Sequence, residues 1–216
     1  MHNTVKNLIY IEELIKSKAN DDELAKVIAV SKTFPIENVL PLIEHGHLHY
    51  GENKVQEALD KWSDIKLKNN AIKLHLIGRL QTNKVKFALR IFDYIHSLDS
   101  EKLAIKISEE QKKQEKNTKI FIQVNIGNED QKSGINKDNL ANFYKFCKNL
   151  DLDIIGTMCI PPNDGNTEKY FAEMSDLNKE LNFKELSMGM SGDYLEAIKY
   201  NATYVRVGSK IFGNRS

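Results

Sequence analysis

Eight short apolar segments, spaced along the whole chain, constrain its fold more than any other feature. They are residues 27–31, 47–50, 72–77, 94–98, 119–126, 152–158, 186–188 and 203–207. Strict alternation of such segments with helical ones is typical of a parallel sheet covered by helices. Eight repeats match a closed barrel, so we predict an α/β fold with a single (β/α)8 TIM-type barrel over residues 1–216. An open doubly wound sheet is the alternative, although no G-x-G-x-x-G motif follows the first strand.

Segments with a helical pattern of apolar residues lie between these strands, and one more lies before the first strand. Val5, Leu8 and Ile15 recur at helical spacing, which predicts an extra amphipathic N-terminal helix over residues 4–18. The other predicted helices cover residues 36–44, 52–67, 82–91, 137–150, 167–181 and 192–200. A further, highly charged helix is expected to run from an N-cap at Asp99 or Ser100 to Lys116.

The charge balance argues against a nucleic-acid partner. The chain has 31 Lys and Arg residues against 30 Asp and Glu residues, whereas phosphate binding by a nucleic-acid partner normally needs a basic excess. Glu12 and Glu13 interrupt the apolar part of the N-terminal segment, so we expect no signal peptide. The sequence has no run of about 18 apolar residues, so we expect no membrane-spanning helix. Cys147 and Cys159 are too few for a disulfide framework. We therefore expect a cytoplasmic protein.

Lys32 directly follows the first predicted strand, at the end of the barrel where ligands bind. Apolar walls around the Lys32 amine would favour its neutral form and suit it to Schiff-base chemistry. The alternative is an ordinary lysine at a strand end whose ammonium group reaches the solvent.

Two turns of small residues follow the seventh and eighth predicted strands. Ser191-Gly192 and Gly208-Ser209 could together bind a phosphate, because small residues let the backbone approach a ligand closely. Ser191 could instead be a helix N-cap. Arg206 could point inward to the ligand, or it could form a structural salt bridge.

The histidines suggest weaker hypotheses. His47 and His49 could share one strand face and bind a metal, but His45 is expected to end a helix and no Asp or Cys ligand accompanies them, so we predict no metal site. His75 lies inside an apolar strand and is expected to be a hydrogen-bonded core residue.

Taken together, the motifs resemble those of the pyridoxal-phosphate homeostasis proteins, which are relatives of the barrel domain of alanine racemase. The matching stretches are residues 30–35 (VSKTFP), 51–57 (GENKVQE), 75–84 (HLIGRLQTNK), 96–99 (HSLD), 123–126 (QVNI), 132–134 (KSG), 186–193 (LSMGMSGD) and 206–209 (RVGS). They occur in order over nearly the whole chain, so the resemblance is highly specific.

The resemblance implies that the cofactor is pyridoxal 5'-phosphate (PLP) and that Lys32 holds it as a Schiff base. It further implies that Ser191, Gly192, Gly208 and Ser209 bind the phosphate. Arg206 would face the pyridine nitrogen, and Asn53 would lie near the ring hydroxyl.

The same resemblance implies a role in vitamin B6 homeostasis and amino-acid balance. An arginine at the ring nitrogen leaves that nitrogen unprotonated, which makes the ring a poorer electron sink. The racemases use a second base from another domain, which we expect to be absent here, so we expect a non-catalytic PLP carrier. Its partners would be PLP and PLP-dependent apoenzymes, and a monomer is expected. A weak amino-acid racemase is the alternative, and a barrel enzyme acting on a phosphorylated metabolite is a more distant one.

Overall fold

The computed structural model describes residues 1–18, 24–129 and 131–213. The strands are β1 (Lys26–Val30), β2 (His49–Glu52), β3 (Lys73–Leu76), β4 (Tyr94–Leu98), β5 (Lys119–Asn125), β6 (Ile135–Asn136), β7 (Ile154–Cys159), β8 (Glu185–Met190) and β9 (Tyr204–Val207). The helices are α1 (Asn3–Lys18), α2 (Ile36–Glu44), α3 (Val55–Lys68), α4 (Val85–Ile91), α5 (Glu101–Gln114), α6 (Leu140–Asn149), α7 (Thr167–Glu180), α8 (Tyr194–Lys199) and α9 (Ser209–Phe212). Single 3-10 turns, Thr82–Lys84 and Lys137–Asn139, precede α4 and α6.

Eight of the strands form a closed parallel barrel. They pair in the order β1, β2, β3, β4, β5, β7, β8, β9, and β9 pairs with β1 to close the ring. The short β6 pairs with the last two residues of β5, through Val124–Ile135 and Asn125–Asn136. The predicted TIM-type barrel is thus confirmed, and the open doubly wound alternative is wrong.

The element boundaries differ from the predicted ones by a few residues. The second strand begins at His49, where its pairing with Lys73 of β3 starts, and not at residue 47. Because Glu52 still pairs with β3, α3 begins at Val55 and not at Glu52. We expected Asp99 or Ser100 to be the N-cap of α5, and the structure shows that it is Ser100. The short β6 and α9 were not predicted, since two and four residues are too few to show periodicity.

Apolar side chains form one layer inside the barrel and another between the barrel and its helices. Along β1, Ile28 and Val30 belong to the inner cluster, whereas Val27 and Ala29 belong to the outer one. This alternation follows from the two-residue period of a strand. The inner cluster is completed by Tyr94, Phe121, Met158 and Tyr204.

The extra N-terminal helix is present and packs outside the barrel. α1 buries Leu8, Ile11 and Ile15 and contacts α2, α8 and α9. Asn7 on α1 also donates a hydrogen bond to the Ile211 carbonyl at 3.0 Å. No helix within the described ranges has both the length and the apolarity needed to cross a membrane.

Candidate functional site

All seven residues predicted for ligand binding line one cavity of about 620 Å³. They are Lys32, Asn53, Ser191, Gly192, Arg206, Gly208 and Ser209. The cavity lies where β1, β2, β8 and β9 end, which is the ligand-binding end of such a barrel. Its wall is completed by Val30, Phe34, Ile77, Ile160, Met190 and Gly213, none of which we predicted as site residues.

Both sequence neighbours of Lys32 donate a hydrogen bond to a carboxylate. Ser31, before it, donates its hydroxyl to Glu52 Oε1 at 2.8 Å. Thr33, after it, has a left-handed φ of 68° and donates its amide to Glu57 Oε1 at 2.6 Å. The position of Lys32 is therefore fixed by residues of β2 and α3.

Glu52 is the centre of this support and does not line the cavity. Its Oε1 accepts hydrogen bonds from Lys61 Nζ at 2.9 Å and Trp62 Nε1 at 3.0 Å, as well as from Ser31. Glu52 is fully buried and Lys61 is 9% exposed, so they form a buried ion pair. The strand alternation therefore directs Glu52 to α3, while Asn53 lines the cavity.

A hydrogen bond joins the two small-residue turns. The Gly208 amide donates to Ser191 Oγ at 3.2 Å. A Cβ on Gly192 would meet no atom within 4 Å, whereas one on Gly208 would lie 3.3 Å from the Val30 carbonyl oxygen. Ser191 is not a helix N-cap, because that position belongs to Asp193, whose Oδ1 accepts the Met190 amide at 2.6 Å. The N-cap alternative for Ser191 is therefore wrong.

Arg206 lies at the base of the cavity and is 4% exposed. Its two terminal nitrogens donate to Ser187 Oγ and to the Cys159 carbonyl, both at 2.8 Å. Burial lowers the pKa of Arg206, and the nearby Asp193 carboxylate acts in the opposite direction. Among the described residues no carboxylate forms an ion pair with Arg206, so the salt-bridge alternative is wrong.

A row of histidines continues from Ser187 through the interior of the barrel. His96 Nδ1 lies 2.9 Å from Ser187 Oγ, and His96 Nε2 lies 2.9 Å from His75 Nδ1. His75 Nε2 in turn lies 2.9 Å from His49 Nδ1. His75 is thus the hydrogen-bonded core residue that we predicted, but the row itself was not predicted. The inward positions of β2, β3 and β4 carry these histidines, and that shared periodicity is the signal that could have revealed them.

Burial keeps these histidines neutral. It lowers the pKa of His75 and His96 well below the usual value, and neighbouring positive charge, from Arg206 in the case of His96, adds to the effect. Burial also lowers the pKa of His47 and His49 to about 4.

The histidines considered as metal ligands are not grouped around a shared metal position. His45 is the exposed C-cap residue of α2, and His47 Nε2 lies 2.9 Å from the His49 carbonyl oxygen. In the ranges that the structure covers, no group of three or more His, Cys, Asp or Glu residues is arranged to hold a metal ion.

Comparison with known proteins identifies the family. Residues 12–216 match the family described as alanine racemase, N-terminal domain. Pyridoxal phosphate homeostasis proteins of Pasteurella multocida and Aquifex aeolicus are 35% and 36% identical to this chain, covering 95% of it and 93% of their own lengths. The chain belongs to this family of homeostasis proteins.

Solved structures of the family superpose closely on this member. PipY of Synechococcus elongatus, solved without PLP, has a TM-score of 0.87 and 30% identity, covering 98% of this chain and all of PipY. The same protein with PLP bound gives the same TM-score and identity over 97% of this chain. An alanine racemase of Clostridium difficile, 15% identical with a TM-score of 0.75, shares the fold, and the match covers 57% of that enzyme.

Proposed function

We propose that this family member binds PLP in the 620 Å³ cavity and holds it on Lys32, as part of intracellular PLP homeostasis. The observation that carries the proposal is the meeting of a lysine, a buried guanidinium and two serine–glycine turns in one cavity. The names of the curated relatives and the PLP-bound PipY structure point to the same ligand.

The residues of the cavity match the chemical parts of PLP. Its aldehyde can form a Schiff base with an amine, and Lys32 is the lysine among the described lining residues. Ser191, Gly192, Gly208 and Ser209 offer hydroxyl and backbone donors suited to a phosphate. A cavity of this size lies within the range of about 300–1,000 Å³ that is common for small ligands.

Arg206 determines how the ring nitrogen is held. A guanidinium has only donors and stays protonated, so it would donate to the pyridine nitrogen and leave that atom without a proton. Asn53 follows β2 in the same cavity and is assigned to the ring hydroxyl. An unprotonated ring is a poor electron sink, which suits storage of the cofactor better than carbanion chemistry.

The lining residues also support a non-catalytic role. Of the described side chains that line the cavity, only Lys32 and Arg206 are titratable. A racemase needs a proton acceptor on each face of the substrate carbon, and Arg206 is too basic to be one. A Schiff base is reversible, so incoming amines could release PLP by exchange and deliver it to PLP-dependent apoenzymes.

The proposal treats residues 1–216 as one domain that acts as a monomer in the cytoplasm. The eight strands of the closed ring leave no open edge among themselves to pair with another chain. Both cysteines are free and buried, which fits a reducing compartment.

The test is an absorbance spectrum of protein mixed with PLP, followed by borohydride reduction and peptide mapping. We expect a yellow Schiff-base band and a reduced adduct on Lys32, both lost in Lys32→Ala and both kept in the control Lys54→Ala, whose side chain is exposed. A protein that stays colourless would contradict the proposal.

The same preparations separate a carrier from a weak racemase. In deuterated water, we expect amino acids to exchange their α-protons no faster with the loaded protein than with Lys32→Ala. Steady exchange that disappears in Lys32→Ala would instead establish the racemase alternative.

A further inference from the structure

The charge of Arg206 is buried, and the described residues that line the cavity provide no negative charge to compensate for it. A guanidinium removed from water loses several kcal/mol of hydration unless other groups compensate for it. No carboxylate of the described chain lies within ion-pair distance of Arg206. Its contacts are two neutral oxygens, the Cys159 carbonyl and the Ser187 hydroxyl.

Behind Ser187 the hydrogen-bonded row runs from the cavity to the opposite end of the barrel. The links are Ser187 Oγ to His96 Nδ1, His96 Nε2 to His75 Nδ1, and His75 Nε2 to His49 Nδ1, each 2.9 Å long. His49 is the first residue of β2, at the end of the barrel away from the cavity. Aromatic rings surround the row: His75 stacks on Tyr94 and His96 on Phe121, both at 4.2 Å between centroids.

The direction of every hydrogen bond in this row follows from Arg206. A guanidinium can only donate, so Ser187 Oγ accepts from it and is free to donate its own proton to His96 Nδ1. A neutral imidazole has one donor and one acceptor, so His96 must then donate from Nε2 to His75 Nδ1. By the same rule His75 donates from Nε2 to His49 Nδ1. All donors therefore point away from Arg206.

The opposite direction would leave a buried donor unused. If His96 donated from Nδ1 to Ser187, the serine oxygen would accept from both His96 and Arg206. Its own proton would then need another acceptor, and among the described residues Ser187 Oγ has hydrogen bonds only to these two groups. An unsatisfied buried donor costs about 1–3 kcal/mol, so the first direction is favoured.

We propose that Ser187, His96 and His75 are positioning residues that hold Arg206 through a one-directional hydrogen-bond chain ending at His49. The lone pairs of the chain face the guanidinium, so its aligned dipoles stabilise a buried positive charge that has no ion-paired carboxylate among the described residues. The inference rests on the proposed function in one respect, because the orientation of Arg206 towards the ring nitrogen matters only if PLP binds there.

The direct test is nitrogen-15 NMR of the imidazoles in protein free of PLP, at neutral pH. We expect His96 and His75 each to carry the proton on Nε2 and none on Nδ1. A proton on Nδ1 of His96 would overturn the chain. This measurement needs no variant and no ligand, so it gives an answer even if the proposed PLP binding fails.

Variants test whether the chain acts on the cavity. Ser187→Ala removes the link to Arg206 and should raise the dissociation constant of PLP roughly tenfold, the size of one net hydrogen bond. Ser187→Thr keeps the hydroxyl and should restore binding to within about twofold of the wild type. Ser97→Ala is the matched control, since Ser97 Oγ is buried and has no hydrogen-bond partner in the described structure.

Two further outcomes are decisive. Equal PLP affinity of Ser187→Ala and the wild type, with Lys32 still labelled, would overturn the positioning role. His75→Phe keeps an aromatic ring but breaks the chain one link beyond His96. If the chain acts as a unit, the effects of His75→Phe and Ser187→Ala on PLP affinity will not add. Additive effects would mean that His75 acts by packing alone and would overturn its place in the chain.

Discussion

At the scale of single residues, the space in the cavity depends on positions where glycine has no side chain. Gly192 lines the cavity, and a Cβ built on it would meet no other atom within 4 Å. Gly156 on β7 is the opposite case, because a Cβ there would lie 1.7 Å from the Glu185 carbonyl oxygen of β8. Glycine at 192 therefore leaves room for a ligand, whereas glycine at 156 lets two strands approach each other.

This contrast predicts different effects of one added methyl group. Gly192→Ala should leave the free energy of unfolding within about 0.5 kcal/mol of the wild type, since nothing is displaced. It should weaken PLP binding roughly tenfold, because the methyl group takes up ligand space. Gly156→Ala, as the comparison, should lower the free energy of unfolding by at least about 2 kcal/mol. Urea unfolding and PLP titration measure the two quantities, and unaltered PLP affinity in Gly192→Ala would contradict the assignment of this turn.

At the scale of elements, the end of β1 is attached to β2 and α3. The Ser31 hydroxyl and the Trp62 indole both donate to Glu52, and Lys61 donates to Glu52 and also to the Ser31 carbonyl at 2.9 Å. These contacts connect the strand that carries Lys32 to a helix on the outside of the barrel. The position of the lysine therefore depends on a buried ion pair whose members do not line the cavity.

Removing one member of this pair should destabilise the fold. Lys61→Met leaves the Glu52 carboxylate buried without a cation, so we expect a loss of about 3 kcal/mol in the free energy of unfolding. Adding Glu52→Gln removes the uncompensated charge and should recover part of that loss. Lys112→Met is the control: its ion pair with Asp151 is 3.9 Å long and exposed, so the change should stay within about 0.5 kcal/mol. Similar losses in Lys61→Met and Lys112→Met would contradict a special role for the buried pair.

At the scale of the whole molecule, a polar column of histidines runs through an otherwise apolar barrel. Burial is the main cause that lowers the pKa of His47 and His49 to about 4, and it also holds the pKa of His75 and His96 well below the usual value. For His49, the positive charges of His47, Lys26 and Lys73 also lower the pKa, and Asp93 partly opposes them. Folding therefore keeps these imidazoles neutral where the unfolded chain would protonate them.

The sign of the resulting pH dependence follows from linkage. Below about pH 6.5 the unfolded chain binds protons that the folded protein excludes, so stability is complete above that pH and falls towards about pH 4. We expect the free energy of unfolding to decrease by up to about 1.4 kcal/mol per pH unit for each histidine concerned. Urea unfolding between about pH 7 and pH 5 measures this slope. The slope should be smaller in His49→Gln, and equal stability across this pH range would contradict the prediction.

The sequence by itself determined the barrel and the residues at its mouth. Alternation of apolar strands with helices requires parallel strands, and the carboxyl ends of parallel strands meet at one end of a closed barrel. Lys32 and the two serine–glycine turns could therefore be assigned to one cavity from their positions after the strands. Asn53 was assigned to the same cavity by the family resemblance, and Arg206 by its place near the end of the last strand together with that resemblance.

Only the tertiary structure decided which side chains meet across the barrel. Ser187, His96, His75 and His49 lie on four different strands, so their contacts depend on the stagger that barrel closure imposes. The same holds for the contacts of Glu52: the strand alternation turns its side chain outward, but its partners come from the end of β1 and from α3. Local periodicity fixes the alternation within a strand, whereas the relative shift of neighbouring strands is set by the packing of the complete ring.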